Sequence, residues 1–173
     1  MSSITPGTIF QGRTDLPAGG LPPERARVAI VVSRYNESVT RRLLEAALAR
    51  LVAAGVPAAK IDVAWVPGAF ELPLAADKLA ASRRYAAVLC LGAIIRGETS
   101  HDRHIASAVG HGIEQSARAH GIPVLFGVLT CDTLAQAMAR AGGDAADDFA
   151  GNKGAECAAA ALEMISLLSQ LPS

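Results

Sequence analysis

Four short apolar runs punctuate the chain, and the hydrophobic positions between them recur every three or four residues. Val28–Val32 is unbroken and of strand length, as expected of a strand covered on both faces. Val39, Leu43, Leu44, Ala47, Leu48, Leu51 and Val52 then follow helical spacing. That helix is predicted to start at a cap from Asn36 or Ser38 and to stop at Gly55 and Pro57. Ile61–Val66 is the second predicted strand, ended by Pro67 and Gly68. A helix from about Phe70 to Ala81 follows, with Pro73 tolerated in its first turn. Ala87–Ile95 holds the third strand, and a helix spans roughly Ser100–Ala119. Pro123–Leu129 is the fourth strand. Thr133 and Gln136 suit a capping box for a short helix ending near Arg140. Residues 142–152 read as a loop, and Ala155–Leu168 as the last helix.

Strands alternating with helices predict an α/β fold: a four-stranded parallel sheet with right-handed crossovers and helices on both faces. Open sheets of this kind take ligands at the carboxyl ends of their strands. Functional residues are therefore expected just after Val32, Val66, Ile95 and Leu129. Residues 1–24 hold Pro6, Gly7, Gly12, Pro17, Gly19, Gly20, Pro22 and Pro23 with little apolar periodicity, which predicts a flexible arm. Residues 25–173 show no linker or repeat and read as a single domain.

Composition narrows the function classes. A chain of 173 residues buries roughly 70% of its unfolded surface, so no metal or disulfide is needed to hold the core. Sixteen basic residues offset sixteen acidic ones, which leaves no overall field for nucleic acid or an anionic membrane. No apolar stretch reaches the ~18 residues of a membrane span. Cys90, Cys131 and Cys157 are odd in number and lack C-x-x-C spacing, so they read as reduced, buried thiols. With no secretory signal visible, the expected location is cytoplasmic.

The candidate chemistry lies at the strand ends. Ser33-Arg34-Tyr35-Asn36 follows the first strand and carries no glycine-rich phosphate loop. Tyr35 either stacks on a flat heterocycle or plugs the top of the core. After the second strand, Pro67 and Gly68 set a turn, Ala69 leaves room for a ligand, and Phe70 offers an aromatic wall. Glu71 is either a helix cap or a ligand contact. After the third strand, the free N–H groups of the Gly97-Glu98-Thr99 turn suit an anion. His101 then stands in the first helical turn, either as a proton carrier or as a solvated histidine. His104, His111 and His120 lack comparable settings and read as surface or structural residues. Arg140 and Lys153 flank the late loop as cations available to an anionic ligand. No cluster has metal-ligand spacing, and no Ser or Cys sits on a nucleophile elbow.

Four segments, PGAFELP, LGAIIRGETSH, PVLFGVLT and GNKGAE, stand in an order and spacing that closely resembles the lumazine synthase family over about residues 25–170. The resemblance implies a three-layer αβα sandwich of flavodoxin-like type. It also implies condensation of 5-amino-6-(D-ribitylamino)uracil with 3,4-dihydroxy-2-butanone 4-phosphate to 6,7-dimethyl-8-ribityllumazine, the penultimate step of riboflavin biosynthesis. By that resemblance Tyr35 stacks on the pyrimidine, and Ala69, Phe70 and Glu71 contact the ribityl chain and ring. Ala93, Ile94 and Ile95 lie along the heterocycle, and Glu98 and Thr99 receive the phosphate. His101 is similar to the family's proton-transfer residue and Arg140 to its phosphate-binding arginine. Phe126 and Lys153 match residues lent by an adjacent subunit. The implied reaction needs no redox cofactor and no metal.

Three departures from the family pattern stand out. Tyr35 occupies a position where Phe or Trp is commoner, and Asp102 one that is often aromatic. The connection from Ala141 to Ala150 carries Asp144, Asp147 and Asp148 and exceeds the short version of shell-forming members. The family builds homopentamers, some of which pair into decamers or pack into 60-subunit shells. The longer acidic connection predicts a free pentamer or at most a pair of them.

Overall fold

The computed structural model describes residues 11–16, 20–143, 149 and 151–172. The four predicted strands form as β1 (Arg27–Ser33), β2 (Ile61–Val66), β3 (Tyr85–Ile95) and β4 (Val124–Cys131). They make one parallel sheet in the order β2-β1-β3-β4. The helices are α1 (Glu37–Ala53), α2 (Leu72–Ala81), α3 (His101–His120), α4 (Leu134–Arg140) and α5 (Lys153–Leu168).

Two-residue alternation along the strands explains the three layers. On β3, Leu89, Leu91 and Ala93 turn toward Leu43, Leu51, Leu162 and Ile165 of α1 and α5. Val88, Cys90 and Ile94 turn the other way, toward Leu72 and Ala76 of α2 and Val109 and Ile113 of α3. Both faces of β1 and β3 are covered, so the inner positions of these two strands are apolar. Edge strand β2 is only partly buried, and Val63 on it is exposed.

Element boundaries differ from the pattern where hydrogen bonding overrides it. The segment read as a helix from Phe70 begins with a separate 3-10 turn, Ala69–Glu71, and α2 starts at Leu72 with Pro73 in its first turn. Asn36 holds the N-cap position of α1 but caps nothing with its side chain. α5 starts two residues before Ala155, because the Asn152 side chain accepts the Gly154 N–H at 2.8 Å. β4 runs past Leu129 to Cys131. The predicted α4 cap forms: the Thr133 hydroxyl accepts the Gln136 N–H, while the Gln136 side chain accepts from Asp132.

Of the segment expected to be a flexible arm, residues 11–16 lie across α1 and α5. The Leu16 N–H meets the Ala54 carbonyl at 3.3 Å, Arg50 donates to the Thr14 carbonyl, and Gln170 donates to the Gln11 carbonyl. Residues 1–10 and 17–19 of that segment, and 144–148 and 150 of the acidic connection, lie outside the described residues. At the amino ends of the strands, Arg27 of β1 forks onto Asp62 of β2, and Tyr85 of β3 donates to the same carboxylate at 2.9 Å. The Arg27 hydrogen bonds hold the Asp62 carboxyl below the usual carboxylate range.

At Gly154, helix α5 comes close to the backbone of α1. A Cβ at Gly154 would lie 2.0 Å from the Leu43 carbonyl oxygen, a contact with backbone that cannot swing aside. Gly154→Ala is therefore expected to cost about 2–4 kcal/mol of stability through overpacking. Urea unfolding followed by circular dichroism checks this; an unchanged midpoint would mean that the two helices can part without loss.

Candidate active site

In the sheet order, the chain leaves β1 toward β2 on one side, while β3 lies on the other. The reversal opens a crevice above β1 and β3 at their carboxyl ends, where helices on opposite faces diverge. A pocket of about 920 Å³ occupies this position. It lies within the usual size range for small-molecule sites.

The loop after β1 contributes Tyr35 and Asn36 to the pocket. Tyr35 is 73% exposed, which removes the alternative of a core plug. Asn36 adopts a left-handed backbone, with φ of 61°, and its side-chain amide donates to the Ala93 carbonyl at 2.8 Å. That bond ties the start of α1 to the end of β3, so one floor carries Ala93, Ile94 and Ile95. The sequence pattern offers Asn36 or Ser38 as the cap of α1; a bond across 57 residues leaves no local signal.

The turn after β2 supplies the second wall, from Pro67 through Glu71. Phe70 is 60% exposed and faces the pocket, whereas Ala69 is buried beneath it. Glu71 lines the pocket and also acts as a cap, since its Oε2 accepts the Gly68 N–H at 2.9 Å. Of the two readings left open for Glu71, the cap is the one that forms. Fastening the carboxylate to Gly68 fixes how the turn presents Phe70.

The turn after β3 and the first part of α3 close the third side with Gly97, Thr99, His101 and Asp102. Ser100 is the N-cap of α3 and makes no side-chain cap bond, so the first N–H groups of the helix have no side-chain acceptor from it. Glu98 is exposed on the same turn but does not line the pocket. His104, Ile105 and Ala108 continue the α3 wall. His104 is exposed, as its surface reading has it, and it also borders the pocket: it lies at the third position after His101, and helical periodicity returns it to the same face. The run 101, 104, 105, 108 is the helical stripe that would have revealed this wall in the sequence.

The other two histidines lie elsewhere. His111 bonds the Ser107 carbonyl at 2.8 Å on its own helix, and His120 meets Asp77 of α2 at 2.7 Å. The cysteines supply no nucleophile. Burial pushes the Cys157 thiol up to about 12 and the Cys90 thiol higher, with the nearby Cys157 adding to the latter. Among the described residues no His, Cys, Asp and Glu group is placed to hold a metal ion.

Besides Glu98, three of the expected site residues do not line this pocket. Phe126 is 48% exposed on edge strand β4, against Gly110 of α3. Arg140 ends α4, with its guanidinium turned back to the Gln136 carbonyl at 3.2 Å. Lys153 opens α5 and pairs with Glu156 at 2.6 Å. The end of β4, expected to carry functional residues like the other three strand ends, lends nothing to the pocket lining.

The pocket thus offers two exposed aromatics, an apolar floor, a helix start and two imidazoles, a set suited to a flat ring and an anion. Among the described residues no helix is long and apolar enough to cross a membrane. The family model described as 6,7-dimethyl-8-ribityllumazine synthase matches residues 25–169, which include every element lining the pocket. The chain therefore belongs to the 6,7-dimethyl-8-ribityllumazine synthase family, transferases of riboflavin biosynthesis.

Proposed function

We propose that this pocket condenses 5-amino-6-(D-ribitylamino)uracil with 3,4-dihydroxy-2-butanone 4-phosphate, giving 6,7-dimethyl-8-ribityllumazine, phosphate and water. The observation that carries the reading is the convergence of Tyr35, Phe70, the Gly97–Thr99 turn and His101 on one pocket at the sheet's switch point. Tyr35 stacks on the pyrimidine while Ala93, Ile94 and Ile95 support its edge. Ala69, Phe70 and Glu71 border the ribityl chain. Glu98 and Thr99, on the turn before α3, receive the phosphate with the helix's first N–H groups. His101 moves protons between the reacting amine and carbonyl oxygen.

Holding two reactants together accounts for much of the acceleration, up to about 7–11 kcal/mol when geometry is ideal. Mixing the two substrates with the protein and recording lumazine fluorescence tests the activity directly. Absence of product with both substrates present at saturating concentration overturns the reading.

The same reading gives Phe126 and Lys153 to a neighbouring copy, and the place of Arg140 outside its own pocket adds it to them. All three are at least partly exposed, and none lines its own chain's pocket. A head-to-tail ring lets each copy present this surface to the next pocket, and the ring of five that the family resemblance implies is such an arrangement. The acidic connection, with Asp144, Asp147 and Asp148, disfavours close packing of one ring on others. Light scattering at moderate ionic strength is expected to give a mass near five chains, or ten if rings pair. A stable sixty-chain particle would contradict this assembly. Three buried free thiols accord with a cytoplasmic setting.

A further inference from the structure

The pocket holds two imidazoles, and the reaction proposed above gives one of them too much to do. His101 and His104 both line it from one face of α3. Residues three apart on a helix have Cβ atoms about 5–6 Å from each other. Both side chains are exposed, and among the described residues neither ring is engaged in a hydrogen bond with the protein. The histidines outside the pocket differ, since His111 and His120 are each bonded. The rings that are open to a ligand are therefore the two that face the pocket.

We propose that His101 and His104 act as an alternating proton pair, with one ring neutral and the other protonated at the start of turnover. This rests on the condensation proposed above. When the amine lone pair forms the N–C bond, the carbonyl π electrons move to oxygen. The neutral ring takes a proton from the new ammonium nitrogen, and the protonated ring gives one to the alkoxide, leaving a carbinolamine. The two rings have then exchanged states. In the dehydration that follows, the newly protonated ring delivers its proton to the departing hydroxyl, which leaves as water. The newly neutral ring takes the remaining N–H proton as the C=N bond forms. After both steps each ring is back in its first state, with no proton drawn from solvent. A single imidazole would have to take each proton from nitrogen and then carry it to oxygen, whereas the pair does both at once.

The charged and titratable groups around the pair are few. Asp102 lines the pocket from the same helix, and Arg103 is exposed beside it. Glu71 faces from the turn before α2, with its Oε2 engaged by Gly68, and the Tyr35 phenol faces from the loop after β1.

The test compares the wild-type protein with His101→Gln, His104→Gln, His104→Ala and the double variant His101→Gln/His104→Gln, all in the assembled protein. His104 is exposed on a helix surface, and Gln and Ala are good helix formers, so circular dichroism should be unchanged. Wild-type kcat is expected to rise and fall with pH, both limbs belonging to the pair. His104→Gln should lower kcat about tenfold or more with KM little changed, and should lose one limb. The double variant should be no slower than the slower single variant, because the rings act as a unit. Added imidazole should restore part of the rate of His104→Ala, which a purely structural role would not allow. A His104→Gln rate and profile matching wild type, or a failure of imidazole rescue, overturns the pair while leaving the condensation itself intact. A wild-type protein that forms no lumazine overturns both.

Discussion

Co-assembling His101→Ala chains with Arg140→Ala chains should restore activity that neither variant has alone. A site in the proposed ring takes His101 from one copy and Arg140 from the next. Random one-to-one mixing leaves both groups intact in about a quarter of such junctions, so about a quarter of wild-type turnover is expected. The expectation rests on position: Arg140 ends α4 outside its own pocket, with its guanidinium held to the Gln136 carbonyl. A charge-assisted contact to a phosphate contributes about 1.5–3 kcal/mol, so each parent ring should be strongly impaired with the keto-phosphate. Refolding the two chains together and assaying lumazine formation is the measurement. No recovery above the parent variants would place Arg140 in the cis site and remove the shared-site arrangement.

His101→Ala alone is expected to lower turnover by about 10–10³-fold, with substrate affinity changed much less. The side chain is exposed at the first position of α3, so truncation removes little packing and should leave the fold unaltered. Loss confined to kcat marks an interaction made in the transition state, whereas a rise in KM alone marks ground-state binding. Steady-state kinetics at several pH values separate the two. Unchanged kcat at neutral pH would remove His101 from the mechanism and the alternating pair with it.

The sequence by itself determined the layers and the strand ends. Unbroken apolar runs at Val28–Val32 and within Ala87–Ile95 could satisfy only strands covered on both faces, and they became β1 and β3 at the centre of the sheet. Helical spacing fixed the inward faces of α1 and α5, and the four quoted segments were specific enough to carry the family. Most of the predicted site residues at the first three strand ends line one pocket, because a parallel sheet with crossovers must bring those ends together.

Tertiary structure decided the rest, wherever a partner lies far along the chain. Asn36 lost its expected capping role to the Ala93 carbonyl, a choice that no local pattern encodes. His104 became a pocket residue because α3 packs with that face toward the turn holding Phe70, although nothing beside it in sequence marks it. Glu98, Phe126, Arg140 and Lys153, expected from the sequence at the site, have no place in the lining of their own chain's pocket. Residue type shows what a side chain can do. Which group it meets depends on how the elements pack, because contact requires proximity in space rather than along the chain.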